Sequence, residues 1–464
     1  MITLENRFFP LRSAVCFLME GGIILFSVLA SFVILHSTGK IWLLTFEEAV
    51  VRGFVIAFFC QACMYLLDLY DLRISQTWGE IFFSLMFAIG FVCIGIGIIT
   101  YAVPGFGVDA RMYYLTLFLA TISLLLWRIS FYYYLDRLAP SQNILVVGSG
   151  EVAGMVGKEI REWAKLGFNL VGFISPMSGN GAGIEEIGEV LGDYGKIGEI
   201  VRNNGISKIV VAIEQRRGEY PVEEMLALRV TGCQVLEWHG FFEKLSGRIP
   251  INHLAPSFFI FNPGFRKSKF IHFTRRVLST VIGAALLLLV SPLLLLVAIL
   301  IKIDSPGPII YSQTRIGQKG KVFRIYKFRS MRDNAEVNGI PQWAEKEDPR
   351  ITRIGRILRI SRIDELPQLF NVIRGDLNLV GPRPERPEFV EKLKNLIPYY
   401  ALRHTVNPGL TGWAQIMFPY GGTIDESKEK LQYDLFYIKN MSIKLDLFII
   451  FSTIKIVLLG RGAR

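Results

Sequence analysis

Residues 277–301 read VLSTVIGAALLLLVSPLLLLVAILI, 25 residues without a charge. As a helix rising 1.5 Å per residue the run is about 37 Å long, enough to cross a hydrocarbon core of about 30 Å. Length leaves its topology open, and the flanks carry the argument. Arg266, Lys267, Lys269, Arg275 and Arg276 precede it, and Lys302 and a basic segment follow. Cationic flanks on both sides place both ends in the cytoplasm. Ser291-Pro292, near the middle, supplies the means: proline removes a backbone hydrogen bond and bends a helix, and serine can satisfy the freed carbonyl. A re-entrant helix-break-helix is expected over 270–303, with a kinked crossing as the alternative.

Upstream, 51% hydrophobic composition and a mean hydropathy of +0.39 fit a chain with several membrane segments. Apolar runs near 14–35, 49–67, 81–103 and 112–135 predict four transmembrane helices within residues 1–138. No small-residue cleavage site follows the first run, which reads as an anchor. Arg7, Arg12, Arg73, Arg128 and Arg137 outnumber Lys40 and Arg111 in the alternate loops, placing the N-terminus and the chain after 137 in the cytoplasm. Glu20 reads as an interfacial acid of the first span. The five cysteines make no disulfide framework, and Cys60-x-x-Cys63 lacks a second pair or a His cluster for zinc.

Residues 141–262 change to a soluble α/β pattern. NILVVGSGEVAG (143–154) reads as strand, glycine turn and helix start, with later strands at 208–213 and 233–238, a Rossmann-like middle domain. Gly148, Gly150 and Gly154 approach the dinucleotide fingerprint, but the third glycine comes one residue late. Either a nucleotide binds there, or the fold keeps its turn without a ligand.

Residues 304–464 form the remaining domain. The net charge of +11 comes from residues 265–464, which hold 32 of the 51 Lys and Arg against 17 of the 40 Asp and Glu. Beside a membrane segment, such an excess suits anionic lipid or phosphorylated substrate; little interleaved aromatic surface argues against nucleic acid. Arg350, Arg353, Arg356, Arg359 and Arg362 recur every third residue before Asp364-Glu365. Leu366, Leu369, Phe370 and Ile373 then recur at helical spacing up to Gly375, so the two acids are expected at a helix N-terminus, with Ser361 and Asp364 at capping-box spacing. There, backbone N–H groups favour phosphate, and adjacent carboxylates offer hard oxygens to Mg²⁺. His404 has no second histidine at metal spacing. The end, LDLFIIFSTIKIVLLGRGAR, reads as an amphipathic helix lying on the membrane.

DELPQLFNVIRGDLNLVGPRPERPEF (364–389), YSQTRIGQKGKVFRIYKFRSM (311–331) and VNPGLTGWAQ (406–415) together resemble the bacterial sugar transferase family, the monotopic phosphoglycosyl transferases. The resemblance covers about residues 270–464, and the preceding segments are similar to long-form members that prime exopolysaccharide synthesis. It implies a small, mainly α catalytic domain at the cytoplasmic face of the bacterial inner membrane. It implies transfer of a hexose 1-phosphate from a UDP-sugar to undecaprenyl phosphate, with Mg²⁺ and a phospho-aspartyl intermediate on Asp364. Glu365 would assist metal binding or acid–base chemistry, and Lys327, Arg329, Arg359 and Arg383 would contact phosphate. UDP-glucose and UDP-galactose are the expected donors, and homo-oligomer formation stays open. Two other readings stand beside it. A membrane-anchored NAD-dependent nucleotide-sugar dehydratase or epimerase leaves 304–464 without a role; an inactive scaffold leaves the Asp364-Glu365 pair without one.

Overall fold

Helices α1 (Leu11–Ser37), α2 (Phe46–Leu66), α3 (Trp78–Ala102) and α4 (Ala110–Arg137) open the chain. The computed structural model describes residues 11–39, 45–71, 78–102, 109–137, 141–175, 184, 186–213, 221–332, 350–418 and 423–459. Arg7, Lys40 and Arg73, which enter the charge argument for orientation, lie outside them. All four helices are long and apolar enough to cross a membrane. Ile24, Val28, Leu85 and Leu124 are fully buried, while Phe26, Phe54, Phe83 and Phe118 face outward, so the helices are apolar on both faces, as a lipid environment requires.

Glu20 is not the interfacial acid expected. It is fully buried, and Arg128 of α4 binds it, Nε to Oε1 at 2.8 Å and Nη2 to Oε2 at 3.1 Å. Arg128 also donates to the Leu69 carbonyl, so one ion pair joins α1, α4 and the turn after α2. Sequence could not pair residues 108 positions apart. Low dielectric makes such a pair costly to break, about 3–5 kcal/mol for losing one partner.

The rest of this first compact unit, which ends at Leu245, is a parallel sheet. Strands β1 (Gln142–Val147), β2 (Phe168–Ile174), β3 (Val190–Gly192), β4 (Lys208–Val211) and β5 (Gln234–Glu237) lie in the order β3-β2-β1-β4-β5, every neighbour pair parallel. Helices α5 (Glu151–Glu162), α6 (Ile197–Asn203) and α7 (Val222–Val230) connect them. Ile144–Val147 are all completely buried, as a strand covered on both faces demands. Gly148 has φ +139°, and a Cβ there would come within 2.4 Å of the Ala212 carbonyl, so both backbone conformation and packing require glycine in the turn after β1. Gly150 caps α5 without a side chain, Gly154 is buried inside α5, and Glu151 brings an acid to the helix start.

Helix α8 (Trp238–Ser246) leads to the second unit, Ser246–Arg464. The boundary falls earlier than the expected residue 262. Residues 247–249 are held within this unit: Trp413 Nε1 donates to the Gly247 carbonyl at 2.8 Å, Arg248 pairs with Glu429, and Ile249 N donates to Gln432 O at 3.1 Å. Then come α9 (Pro256–Phe261), α10 (Lys269–Asp304), the antiparallel hairpin β6 (Ile310–Ile316) and β7 (Val322–Phe328), α11 (Arg353–Ile360), α12 (Gln368–Arg374), β8 (Asn378–Val380), α13 (Pro387–Leu396), β9 (Gly409–Thr411, parallel to β8), α14 (Trp413–Met417), α15 (Ile424–Asn440) and α16 (Ile443–Leu458).

The break expected at Ser291-Pro292 is absent: α10 is helical throughout its 36 residues. Ser291 Oγ donates at 2.8 Å to the Leu288 carbonyl, the acceptor that Pro292, four residues on, cannot serve. One hydroxyl thus repairs what proline removes. α10 is the fifth helix of membrane-crossing length and hydropathy among the described residues. Its N-terminal end is tied into the unit: Arg275 Nε donates to Asp446 of α16 at 2.6 Å, and Arg276 caps α12 through the carbonyls of Ile373 and Leu377, both at 2.9 Å.

Candidate active site

Between α11 and α12 the chain reverses in a way that aims Asp364. Ser361 ends α11, its hydroxyl donating back to the Ile357 carbonyl at 2.8 Å, and it does not cap the next turn. Arg362 has φ +58°, a left-handed conformation costing about 1–2 kcal/mol outside glycine. Ile363–Glu365 form a 3-10 turn, and α12 begins only after Pro367. The acids therefore lie on the turn before the helix rather than on its first residues. The end of α12 is as expected, Gly375 at φ +105°.

Glu365 is clamped. Its Oε1 accepts from Lys327 Nζ of β7 at 2.8 Å and from Arg383 Nη2 at 2.7 Å. Burial alone would raise its pKa, yet Arg383 and Lys327 together hold it well below the usual carboxylate range. Asn371 of α12 fixes the two elements against each other, its amide donating to Arg324 O at 2.7 Å and its oxygen accepting from Tyr326 N at 3.1 Å. Arg383 stands in Gly-Pro-Arg-Pro, where Pro384 O accepts from Arg315 and Glu385 O from Ile316 N, both at 3.0 Å.

Asp364 differs. It is 7% exposed and forms part of the wall of a cavity of about 670 Å³, within the usual range of ligand pockets. Among the described residues, ten lining side chains are Arg or Lys, against Asp364 and Glu385 as the acids. Burial raises the Asp364 pKa, with Lys327 pulling the other way. The site thus places a largely buried carboxylate among cations beside a second carboxylate whose charge is already cancelled.

Lys327, Arg359 and Arg383 all line this cavity. Arg329 also reaches its wall, but its guanidinium closes the end of α10, donating to Ser305 O at 2.6 Å, Ser305 Oγ at 2.8 Å and Pro306 O at 2.9 Å. Those bonds make it a helix-end brace at the edge of the cavity. Arg353 and Arg356 of the arginine row are exposed. The donor set fits a divalent cation only at Asp364, since Glu365 is taken by two cations, and no cluster of three or more His, Cys, Asp or Glu exists among the described residues.

Sequence reasoning missed the layer behind Arg383. Arg403 donates to the Arg383 carbonyl at 2.9 Å and to Tyr400 Oη at 2.6 Å, and it pairs with Asp434 of α15 at 2.9 Å. Burial pushes the Asp434 carboxyl up to about 6, with Arg403 opposing. The only sequence signal was an acid set within the apolar stretch LQYDLFYI of α15, one turn after Lys430.

Residues 270–460 match the family model described as bacterial sugar transferase, and residues 65–235 match the CoA-binding domain model. The chain is 44% identical, over 48% of its length and 52% of the relative's, to a UDP-N-acetylgalactosamine-undecaprenyl-phosphate N-acetylgalactosaminephosphotransferase of Aeromonas hydrophila. It is 31% identical, over 67% of its length and 66% of the relative's, to a UDP-glucose:undecaprenyl-phosphate glucose-1-phosphate transferase of Escherichia coli (strain K12). It is 45% identical, over 36% of its length and 86% of the relative's, to the exopolysaccharide production protein PSS of Rhizobium leguminosarum bv. phaseoli. Of the first two relatives the chain spans 52% and 66% of the length. The third is matched over most of its own length, and the family model covers the residues that hold Asp364, Glu365 and their cations; the chain accordingly belongs to the bacterial sugar transferase family.

Proposed function

We propose that the protein transfers a hexose 1-phosphate from a UDP-sugar to undecaprenyl phosphate, releasing UMP and priming exopolysaccharide synthesis at the cytoplasmic face of the bacterial inner membrane. One observation carries the reading: Asp364, buried yet open to a cation-lined cavity, beside a neutralised Glu365. The activities for which the Aeromonas and Escherichia relatives are named support the substrate class.

An Asp364 carboxylate oxygen attacks the β-phosphorus of the donor. The bond from that phosphorus to the bridging oxygen breaks, and its electron pair leaves with UMP. The sugar phosphate is then an acyl phosphate on Asp364. A phosphate oxygen of undecaprenyl phosphate attacks the same phosphorus, the bond to Asp364 breaks, and the carboxylate returns with undecaprenyl diphosphate hexose as product. Two displacements replace one difficult step. Lys327 and Arg359 spread the negative charge that grows on the phosphoryl oxygens. Glu365 holds Lys327 and Arg383 in place. Mg²⁺, held by Asp364 and the donor diphosphate, would supply further charge neutralisation.

The test uses membranes with undecaprenyl phosphate and UDP-glucose, UDP-galactose or UDP-N-acetylgalactosamine. Wild type is expected to release UMP from one donor and, without acceptor, to retain labelled sugar phosphate in a hydroxylamine-sensitive adduct. Asp364→Asn should lose turnover by at least about 10³-fold, as expected when a covalent nucleophile is removed. Retained turnover in that variant would sink the covalent role.

A further inference from the structure

Residues 256–273, PSFFIFNPGFRKSKFIHF, precede the long apolar run and take no part in the cavity. One side of this segment is fixed to its own unit. The Phe259 ring lies 4.4 Å from Tyr399 and 5.5 Å from Phe265 between centroids. The Lys439 ammonium stands 4.8 Å from the Phe258 centroid, and Lys267 donates to the Lys439 carbonyl at 2.6 Å. The other side chains face out: Ile260 is 72% exposed, Phe261 80%, Phe270 73% and Phe273 66%, with Arg266 and Lys269 exposed between the two pairs.

Large apolar side chains held rigidly outward mark a surface with an occupant. Continuity with α10 says which. Arg275 and Arg276 are consumed by Asp446 and by the end of α12, so the uncharged run begins at Val277. Phe273 precedes Val277 by about 6 Å along the helix. The headgroup layer outside each side of the hydrocarbon core is about 5–7 Å deep. Aromatic rings interleaved with Arg and Lys are the composition of that layer, where rings bury at the acyl boundary and cations meet phosphate.

We infer that residues 256–273 form an interfacial membrane anchor, with Ile260, Phe261, Phe270 and Phe273 turned toward the interfacial layer of a phospholipid leaflet and Arg266 and Lys269 among its phosphates. The inference rests on α10 lying in the membrane and is independent of the chemistry assigned to Asp364. The competing occupant is a second copy of the chain.

The test is nitroxide labelling of the full chain in phospholipid nanodiscs, in a background with the five native cysteines replaced. Phe261→Cys carries the probe, and Lys319→Cys, on the hairpin turn between β6 and β7, is the water-exposed control. The label at 261 is expected to collide more with oxygen than with a soluble nickel chelate, and the label at 319 the reverse. A chelate-accessible label at 261, or dipolar broadening between copies there, would overturn the anchor. UMP release is assayed on the same samples: its absence alongside a buried label removes the catalytic reading and leaves the anchor standing.

Discussion

Asp364 and Glu365 are neighbours in sequence and opposites in electrostatics. Burial raises Asp364, so its protonated form persists to higher pH than for an ordinary carboxyl, whose pKa is about 3.9. A nucleophile must be ionised, so UMP release should fall as pH drops through that raised value. A pH–rate profile checks this, and an acid limb at or below pH 4 would contradict it. Glu365 is lowered, so its ionisation stabilises the fold above its unfolded pKa and is lost as pH falls through the folded one. Glu365→Gln strands Lys327 and Arg383 and should cost about 3–5 kcal/mol. Asp364→Asn should leave the melting temperature unchanged or higher, since the site disfavours its charge. Thermal melts of both variants in one detergent decide it, and a larger loss in Asp364→Asn would reverse the assignment. At this scale the Asp364-Glu365 pair, Lys327 and Arg383 were legible as motif residues. The bracing of the helix end by Arg329 had no signal in the sequence, because its carbonyl partners at 305 and 306 belong to a helix end no motif announces. Arg403 and Asp434 were invisible because 31 residues of chain separate a pair that only folding joins.

Among the elements, α10 teaches most. A serine next to a proline reads as a break in the sequence; in the structure the serine hydroxyl meets the carbonyl that proline abandons, and the helix goes on. The same chemistry was foreseen with the opposite outcome, because local hydrogen bonding alone does not say whether a helix bends or stops. The direction of its ends is a separate matter. We expect Ser268→Cys and Ser305→Cys, the N-cap and C-cap of α10, to react with an impermeant maleimide from one membrane face only. Labelling from opposite faces would establish a crossing. The turn before α12 shows the converse limit: apolar spacing located the helix, while the left-handed Arg362 that separates Ser361 from it has no signature in the residue type.

On the scale of the whole molecule, the N-terminal apolar runs and the parallel sheet were legible because each is a repeating local pattern. The unit boundary was not, because Trp413, Glu429 and Gln432 claim residues 247–249 from far downstream. All of Asp364, Glu365 and their cations lie within Ser246–Arg464. The Rhizobium relative is matched over 86% of its own length by 36% of this chain. A chain of residues 246–464 inserted in membranes should therefore keep UMP release within about tenfold of full length, a difference of about 1.4 kcal/mol in barrier. Complete loss with normal membrane insertion would assign the first unit a catalytic part.

The buried Arg275–Asp446 pair joins the first long helix of this unit to its last, 171 residues apart. A ribosome adding about 5–20 residues per second needs roughly 10–30 s between them. During that wait α10 can enter the lipid while its guanidinium still lacks a carboxylate. Completion of the unit thereby waits until Asp446 has been made, and a stop just ahead of it would leave the Arg275 guanidinium without its carboxylate.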